Sequence, residues 1–250
     1  ASGLMLYYSF DADQGSLVAD DSGNNRTGTV VGATWTPAGK VGGAYGFDNT
    51  DQINLPSLGA ISNFTIGMWF KRNTTTSNGA LFENWGTGPQ RMMVMGIQSD
   101  SNLFFFIQFG ASDYEYLKCV SPNIFDDTEW HLAVGTRSWQ TLKLYIDGID
   151  RTISFMSNGD ASGPLDTGVM PILGLGPHWG EGTFGGSIDE VRLYGRVLAS
   201  NEVAELYALA TQSTYQMIVE GTPSRYGTPW PHDYGMYLVN PSQIITNSVA

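Results

Sequence analysis

Apolar residues in this chain recur mostly at every second position, in short runs stopped by Gly, Asn, Asp and Ser. Runs of that period and length, rich in aromatic and β-branched residues, predict antiparallel strands. Residues 4–10 (L-M-L-Y-Y-S-F) read as the first, 29–35 as another, and 39–55 as two short strands broken at Asp48 to Asp51. In 64–72, Phe64, Ile66, Met68 and Phe70 form one face, and Thr65, Gly67 and Trp69 the other. Further strands are expected at 80–85, 91–98, 103–109 and 114–120. In 129–149, Trp130, Leu132 and Val134 alternate inward, then Leu142, Leu144 and Ile146 do so again. Asp147-Gly148 is a hairpin signal, because both central positions of a tight type I′ turn need positive φ. The period changes once. In 187–194, Ile188, Glu190, Arg192 and Tyr194 alternate with Asp189, Val191 and Leu193, the last three sharing a face. From Ser200 onward, Val203, Leu206, Tyr207 and Ala210 fall at helical spacing, which predicts one short helix near 200–209 capped by Ser200 or Asn201.

Composition narrows the class. Only 14% of residues are charged while 42% are apolar, a balance that fits sheets and loops with a sizeable core. The net charge of −12 argues against nucleic acid, whose phosphates need cations to displace counterions, and against an anionic membrane surface. No apolar run is long enough to span a bilayer, so membrane insertion is not expected. The single cysteine, Cys119, excludes an intrachain disulfide and reads as a buried structural thiol. Ala1-Ser2-Gly3 would suit a mature terminus after signal cleavage.

Several segments occur in a telling order: Y-S-F-D at 8–11, D-S-G-N-N at 21–25, G-A-Y-G-F-D at 43–48, the Trp-centred strand at 64–72, E-W-H at 129–131, L-Y-I-D-G at 144–148 and S-I-D-E-V at 187–191. Together they resemble the laminin-G-like, concanavalin A-like jelly-roll domains. The resemblance implies an all-β fold of two antiparallel sheets over 1–210. The Pro- and Gly-rich tail, 211–250, reads as the start of a following β module or as strands packing on the main domain. It also implies a part of a larger secreted or cell-surface protein, bacterial in origin, that binds a glycan or an extracellular protein.

In that family a calcium often joins the early Asp-Ser-Gly-Asn loop to the Asp of the last strand. By motif position, Asp21, Asn24 and Asp189 are the implied ligands, with Asp11 beside them; these are hard oxygen donors of the kind calcium takes. Carboxylates satisfied by hydrogen bonds in turns are the alternative, because a buried Asp189 needs either a cation or backbone amides. Glycoside hydrolysis is disfavoured: no E-x-D-x-x-E run places two carboxyl groups on one strand face, and adjacent Asp189 and Glu190 point apart. His131, His178 and His232 lack zinc-ligand spacing. For a sugar ring stacked on an aromatic side chain, Trp85 and Trp179 are the first candidates, with His178 as a polar neighbour. Trp139, and a face containing Trp69, Phe104, Phe106 and Tyr145, follow. Two readings result: a non-catalytic, calcium-stabilised carbohydrate-binding or adhesion module, and a structural or protein-interaction domain with no glycan ligand.

Overall fold

The alternating runs become two antiparallel sheets facing one core. The computed structural model describes residues 2–48, 50–84, 92–109, 113–118, 127–139, 141–158, 164–166, 171–174, 183–211, 216–218 and 237–239. The chain divides into two units, Ala1–Ala210 and Thr211–Ala250. In the second unit, Gln216–Ile218 pairs antiparallel with Tyr237–Val239.

In the first unit, one sheet runs in the order Ile149–Asp150, Thr141–Ile146, Trp130–Ser138, Phe64–Arg72, Gly186–Tyr194, Ala44–Phe47 and Thr34–Thr36, with Leu4–Tyr8 also joined to Gly186–Tyr194. The other runs Ser154–Asn158, Asp113–Lys118, Leu103–Phe109, Met92–Ile97, Gly79–Asn84, Ile172–Leu173, Gln52–Asn54, Gly28–Val31 and Leu17–Val18. Neighbours far apart in sequence, such as Phe64–Arg72 beside Gly186–Tyr194, give the jelly-roll crossovers. This is the predicted two-sheet β-sandwich.

Phe64, Ile66, Met68 and Phe70 enter the main core as expected, together with Leu81, Met93, Met95, Phe105 and Ile107 of the facing sheet. Phe64 meets Phe105 edge-on, with ring centroids 6.2 Å apart. Burial of each large apolar side chain stabilises the sandwich by about 1.5–3 kcal/mol. On the strand Trp130–Ser138, the expected phase is reversed. Leu132 and Val134 face outward, while Ala133 lies in the main core opposite Ile146. Ala133 and Gly135 take inward places where space is already filled; a Cβ on Gly135 would fall 2.9 Å from the Phe105 ring.

The outward residues are covered by the single helix of the described residues, Ser200–Thr211. Trp69, Leu132, Val134, Tyr145, Tyr194, Leu198 and Val203 form a second buried cluster, and Tyr207 stacks on Trp69 at 5.5 Å. The helix start differs from the expected Ser or Asn cap. Ala199 donates its amide to Glu202 Oε2 (2.9 Å) and accepts from the Val203 amide (3.1 Å), while the Ser200 hydroxyl pairs with Tyr145 (3.1 Å). Arg196 grips both oxygens of Glu202 and also donates to the Ser2 carbonyl (2.8 Å), tying the helix to the first residues of the chain. No helix among the described residues is long and apolar enough to cross a membrane.

The Asp147-Gly148 hairpin forms as predicted, with φ of 52° and 79°. Asp147 also holds His131: its Oδ2 lies 2.8 Å from Nδ1, Asp127 Oδ1 lies 3.0 Å from Nε2, and the Leu132 amide donates to Asp147 Oδ1 at 2.9 Å. Burial alone would lower the His131 pKa, but the two carboxylates outweigh it and raise it. The imidazolium therefore stabilises the fold fully below the unfolded value near ~6.5, and that contribution is lost as pH rises through the higher folded value. We expect the melting-temperature gap between the wild-type protein and His131→Gln to shrink steadily as buffers are stepped from pH 6 to pH 9. A constant gap would show that His131 does not titrate against these partners.

Candidate functional site

The strand Gly186–Tyr194 changes partner halfway along one edge. Its first residues pair with Ala44–Phe47 (Ile188 opposite Tyr45), and its last pair with Leu4–Tyr8 (Val191 opposite Tyr8). On the other edge, its register against Phe64–Arg72 slips between Asp189 and Arg192, and Glu190 takes a φ of 55°. This is a β-bulge, and it resets the alternation. Ile188 lies in the main core with Val191 and Leu193, contrary to the simple period-2 reading. Asp189 does not share their face; it stands opposite Trp69, whose ring belongs to the outer cluster.

Asp189 is fully buried beneath the loop that leads into Ala44–Phe47. Its Oδ2 accepts the Val41 amide at 3.0 Å and its Oδ1 accepts the Glu190 amide at 2.7 Å. The loop passes so close that a Cβ at Gly39 would lie 3.0 Å from Asp189 Oδ2. Burial pushes the Asp189 carboxyl up to about 7, with the Val41 amide opposing that shift and neighbouring Glu190 adding to it. Glu190 points elsewhere. It accepts the Tyr7 hydroxyl at 2.7 Å and pairs with the Arg192 guanidinium, which lies 4.1 Å from the centre of the Tyr7 ring.

The early aspartate loop is organised by a residue absent from the predicted set. Asp20 accepts the amides of Tyr7 (3.0 Å), Ser22 (3.0 Å) and Arg26 (2.9 Å). The cue was present in D-D-S-G, whose first Asp can close an Asx turn onto the amide two residues on. Asp21 instead accepts from the Ser9 hydroxyl (2.7 Å) and amide (3.3 Å). Asn24 turns its donor nitrogen to the carbonyls of Leu4 (3.0 Å) and Met5 (3.1 Å).

The structure thus brings Asp11 and Asp21 to one cavity of about 220 Å³, floored by Phe10 and Tyr45. Asn24 and Asp189 do not line it: the Asn24 Nδ2 donates to backbone carbonyls, and each Asp189 oxygen accepts a backbone amide. Among the described residues, no three His, Cys, Asp or Glu converge as metal ligands. Calcium takes six to eight oxygens, so an ion at this cavity would draw on other oxygens beside those of Asp11 and Asp21.

Of the aromatic candidates, Trp85, His178 and Trp179 lie outside the described residues. The expected face of Trp69, Phe104, Phe106 and Tyr145 divides between two sheets. Trp69 and Tyr145 lie under the helix, whereas Phe104 and Phe106 cluster with Ala80 and Val94 on the outer side of the other sheet. Trp139 is different. It is 60% exposed, in the turn between Trp130–Ser138 and Thr141–Ile146, with a φ of 55°. Its amide donates to Asn63 Oδ1 (2.9 Å) and its carbonyl accepts from Arg137 Nε (3.0 Å). Arg137 is itself fully buried and donates to the Ser62 carbonyl at 3.0 Å.

Comparison with known proteins gives a consistent fold. Residues 47–204 match the family model described as the concanavalin A-like lectin/glucanases superfamily. Domain 4 of AbnA, a GH43 extracellular arabinanase from Geobacillus stearothermophilus solved in complex with arabinotriose, aligns over 82% of this chain and 98% of its own, at 22% identity and a TM-score of 0.64. The binding domain of Paraclostridial Mosquitocidal Protein 1 aligns over 86% of this chain and 54% of its own, at 18% identity and a TM-score of 0.66. A structure of botulinum neurotoxin type C, whose cell entry depends on two ganglioside molecules, aligns over 84% and 52% respectively, at 12% identity and a TM-score of 0.66. The match therefore spans about half the length of these toxin chains. At such identities the structures show the shared fold alone. No curated protein sequence matches the chain.

The Asp189 environment sets a pH dependence. A carboxyl whose folded pKa lies above its unfolded value favours folding while it is protonated, and that contribution is lost as pH rises through about 7. Asp189→Asn should therefore flatten the fall in denaturation midpoint between pH 5 and pH 8 relative to the wild-type protein. Parallel curves would overturn the assignment of Asp189 as the titrating group.

Proposed function

The chain belongs to the concanavalin A-like lectin/glucanase superfamily, and on that premise we propose that it is a non-catalytic carbohydrate-binding module of a secreted or cell-surface protein. The observation that carries this reading is Trp139. A bulky residue in the left-handed region costs about 1–2 kcal/mol, and an exposed indole forgoes the gain of burial. Asn63 and Arg137 hold the turn's backbone in that conformation from two sides. An exposed aromatic plate carried on an anchored backbone suits the C–H face of a sugar ring. The arabinotriose held by the arabinanase domain and the gangliosides used by the toxin support glycan as the ligand class. Against hydrolysis, Asp189 is turned into backbone amides and Glu190 is engaged by Tyr7 and Arg192, so the two cannot flank a scissile bond as a pair.

Calcium belongs to the proposal in a reduced form, with Asp11 and Asp21 as its protein carboxylates and other oxygens completing the shell. A rise in melting temperature with millimolar calcium, reversed by EDTA and absent from Asp21→Ala, is the expected result. An unmoved transition would remove the ion from this account. For the glycan, an array probed with the whole chain should give positive spots. Trp139→Ala should weaken them at least about tenfold while changing stability by no more than about 0.5 kcal/mol. Silence of the wild-type protein across the array would instead favour a domain that binds protein.

A further inference from the structure

A second cavity, of about 280 Å³, opens beside the helix on the outer face of the sheet, where the bulge interrupts the strand Gly186–Tyr194. Tyr7, Glu190 and Arg192 give it a polar wall, and Val41, Leu206 and Leu209 an apolar one. We propose that this cavity is a subsite for one neutral sugar residue, whose adjacent hydroxyls are read by Glu190 and Arg192; this rests on the glycan-binding reading above.

The polar wall is built rather than incidental. Glu190 is only 5% exposed and has the positive φ of the bulge, so the backbone departs from strand geometry to aim this carboxylate outward. The Tyr7 hydroxyl donates to one of its oxygens and Arg192 pairs with the other, while the guanidinium packs over the Tyr7 ring. A carboxylate has about four acceptor sites and a guanidinium five N–H donors, so the pair retains capacity for both roles side by side. A vicinal diol is the complementary group: one hydroxyl donates to Glu190, and the neighbouring oxygen accepts from Arg192.

The apolar wall supplies the other half of sugar recognition. Leu209 is 72% exposed and Val41 39% exposed, a cost in free energy that contact with ring C–H groups would offset. A cavity of about 280 Å³ has room for a single sugar residue. Charge selects its kind. Asp11 also lines the cavity, so in calcium-free buffer, where the test is run, two carboxylates face one guanidinium and a carboxylated sugar would be repelled.

The test uses the full chain titrated with arabinotriose, with methyl glycosides of the common neutral pyranoses and their monodeoxy analogues, and with sialyllactose as the anionic probe. NMR shifts of the Arg192 side-chain Nε–H, the Tyr7 amide and the Leu209 methyls are read alongside the Trp139 indole N–H. At least one neutral glycoside should shift the Arg192 and Leu209 signals, and removing one hydroxyl of its diol should weaken the effect about tenfold to a hundredfold. Arg192→Met should abolish the shifts of the Tyr7 amide and the Leu209 methyls. Leu209→Asp, a change at an exposed position, should weaken those of the Tyr7 amide and the Arg192 Nε–H. Shifts confined to Trp139 would overturn this subsite while leaving glycan binding in place, and stronger response to sialyllactose would overturn its selectivity. No shift with any sugar would overturn both.

Discussion

Removing a carboxylate from water is expensive unless hydrogen bonds replace the lost solvation, and the strand Gly186–Tyr194 is arranged around that constraint. At Asp189 the strand has left one edge partner and not yet met the next, so its backbone would face an unfilled gap. The side chain fills it. Asp189 takes the Val41 amide from the incoming loop and the amide of its own neighbour, Glu190. The bulge, the reversed alternation and the outward aim of Glu190 all follow from this local solution. The same residue thereby fixes how the segments 4–8 and 44–47 share one edge of the sheet.

Much of the fold was legible because period-2 patterning survives wherever a strand is regular. The strand at 64–72 is the clearest case: Phe64, Ile66, Met68 and Phe70 enter the main core and Trp69 the outer cluster, as the alternation assigned. The reading failed where a local exception overrode the pattern. Leu132 and Val134 face outward because a helix distant in sequence covers them, and no local pattern reports which of two buried faces meets which layer. Likewise, a bulge inserts one residue without altering composition, so Ile188 was assigned to the wrong set. The helix was visible from its spacing, but its cap was not, because Glu202 reaches back to Ala199 where a Ser was expected to serve.

The candidate site was less legible, for a physical reason. Motif position names residue types; hydrogen-bond partners decide what they do. Asp20 and Asp21 are adjacent and chemically identical, yet only Asp20 gathers three backbone amides, while Asp21 turns to Ser9 and a cavity. Asp189 is buried as its pattern implied, and an amide it accepts comes from the loop at 39–43, which no motif around Asp189 announces. Trp139 was one of several tryptophans until its backbone angle and exposure set it apart.

The clamp between Arg196, Glu202 and Ser2 has a mechanical consequence. Leu4 pairs with Tyr194, so the start of the first strand and the end of the last lie at the same end of one antiparallel ribbon. Tension applied through the two flanks of this unit would load that ribbon in peeling geometry, parting its hydrogen bonds one after another instead of shearing them together. From the N-terminal side the Arg196 bond to the Ser2 carbonyl (2.8 Å) and the Gly195 amide bonded to the Gly3 carbonyl (2.8 Å) stand first in the line of force. From the other side the helix, with Tyr207 stacked on Trp69, must part before them.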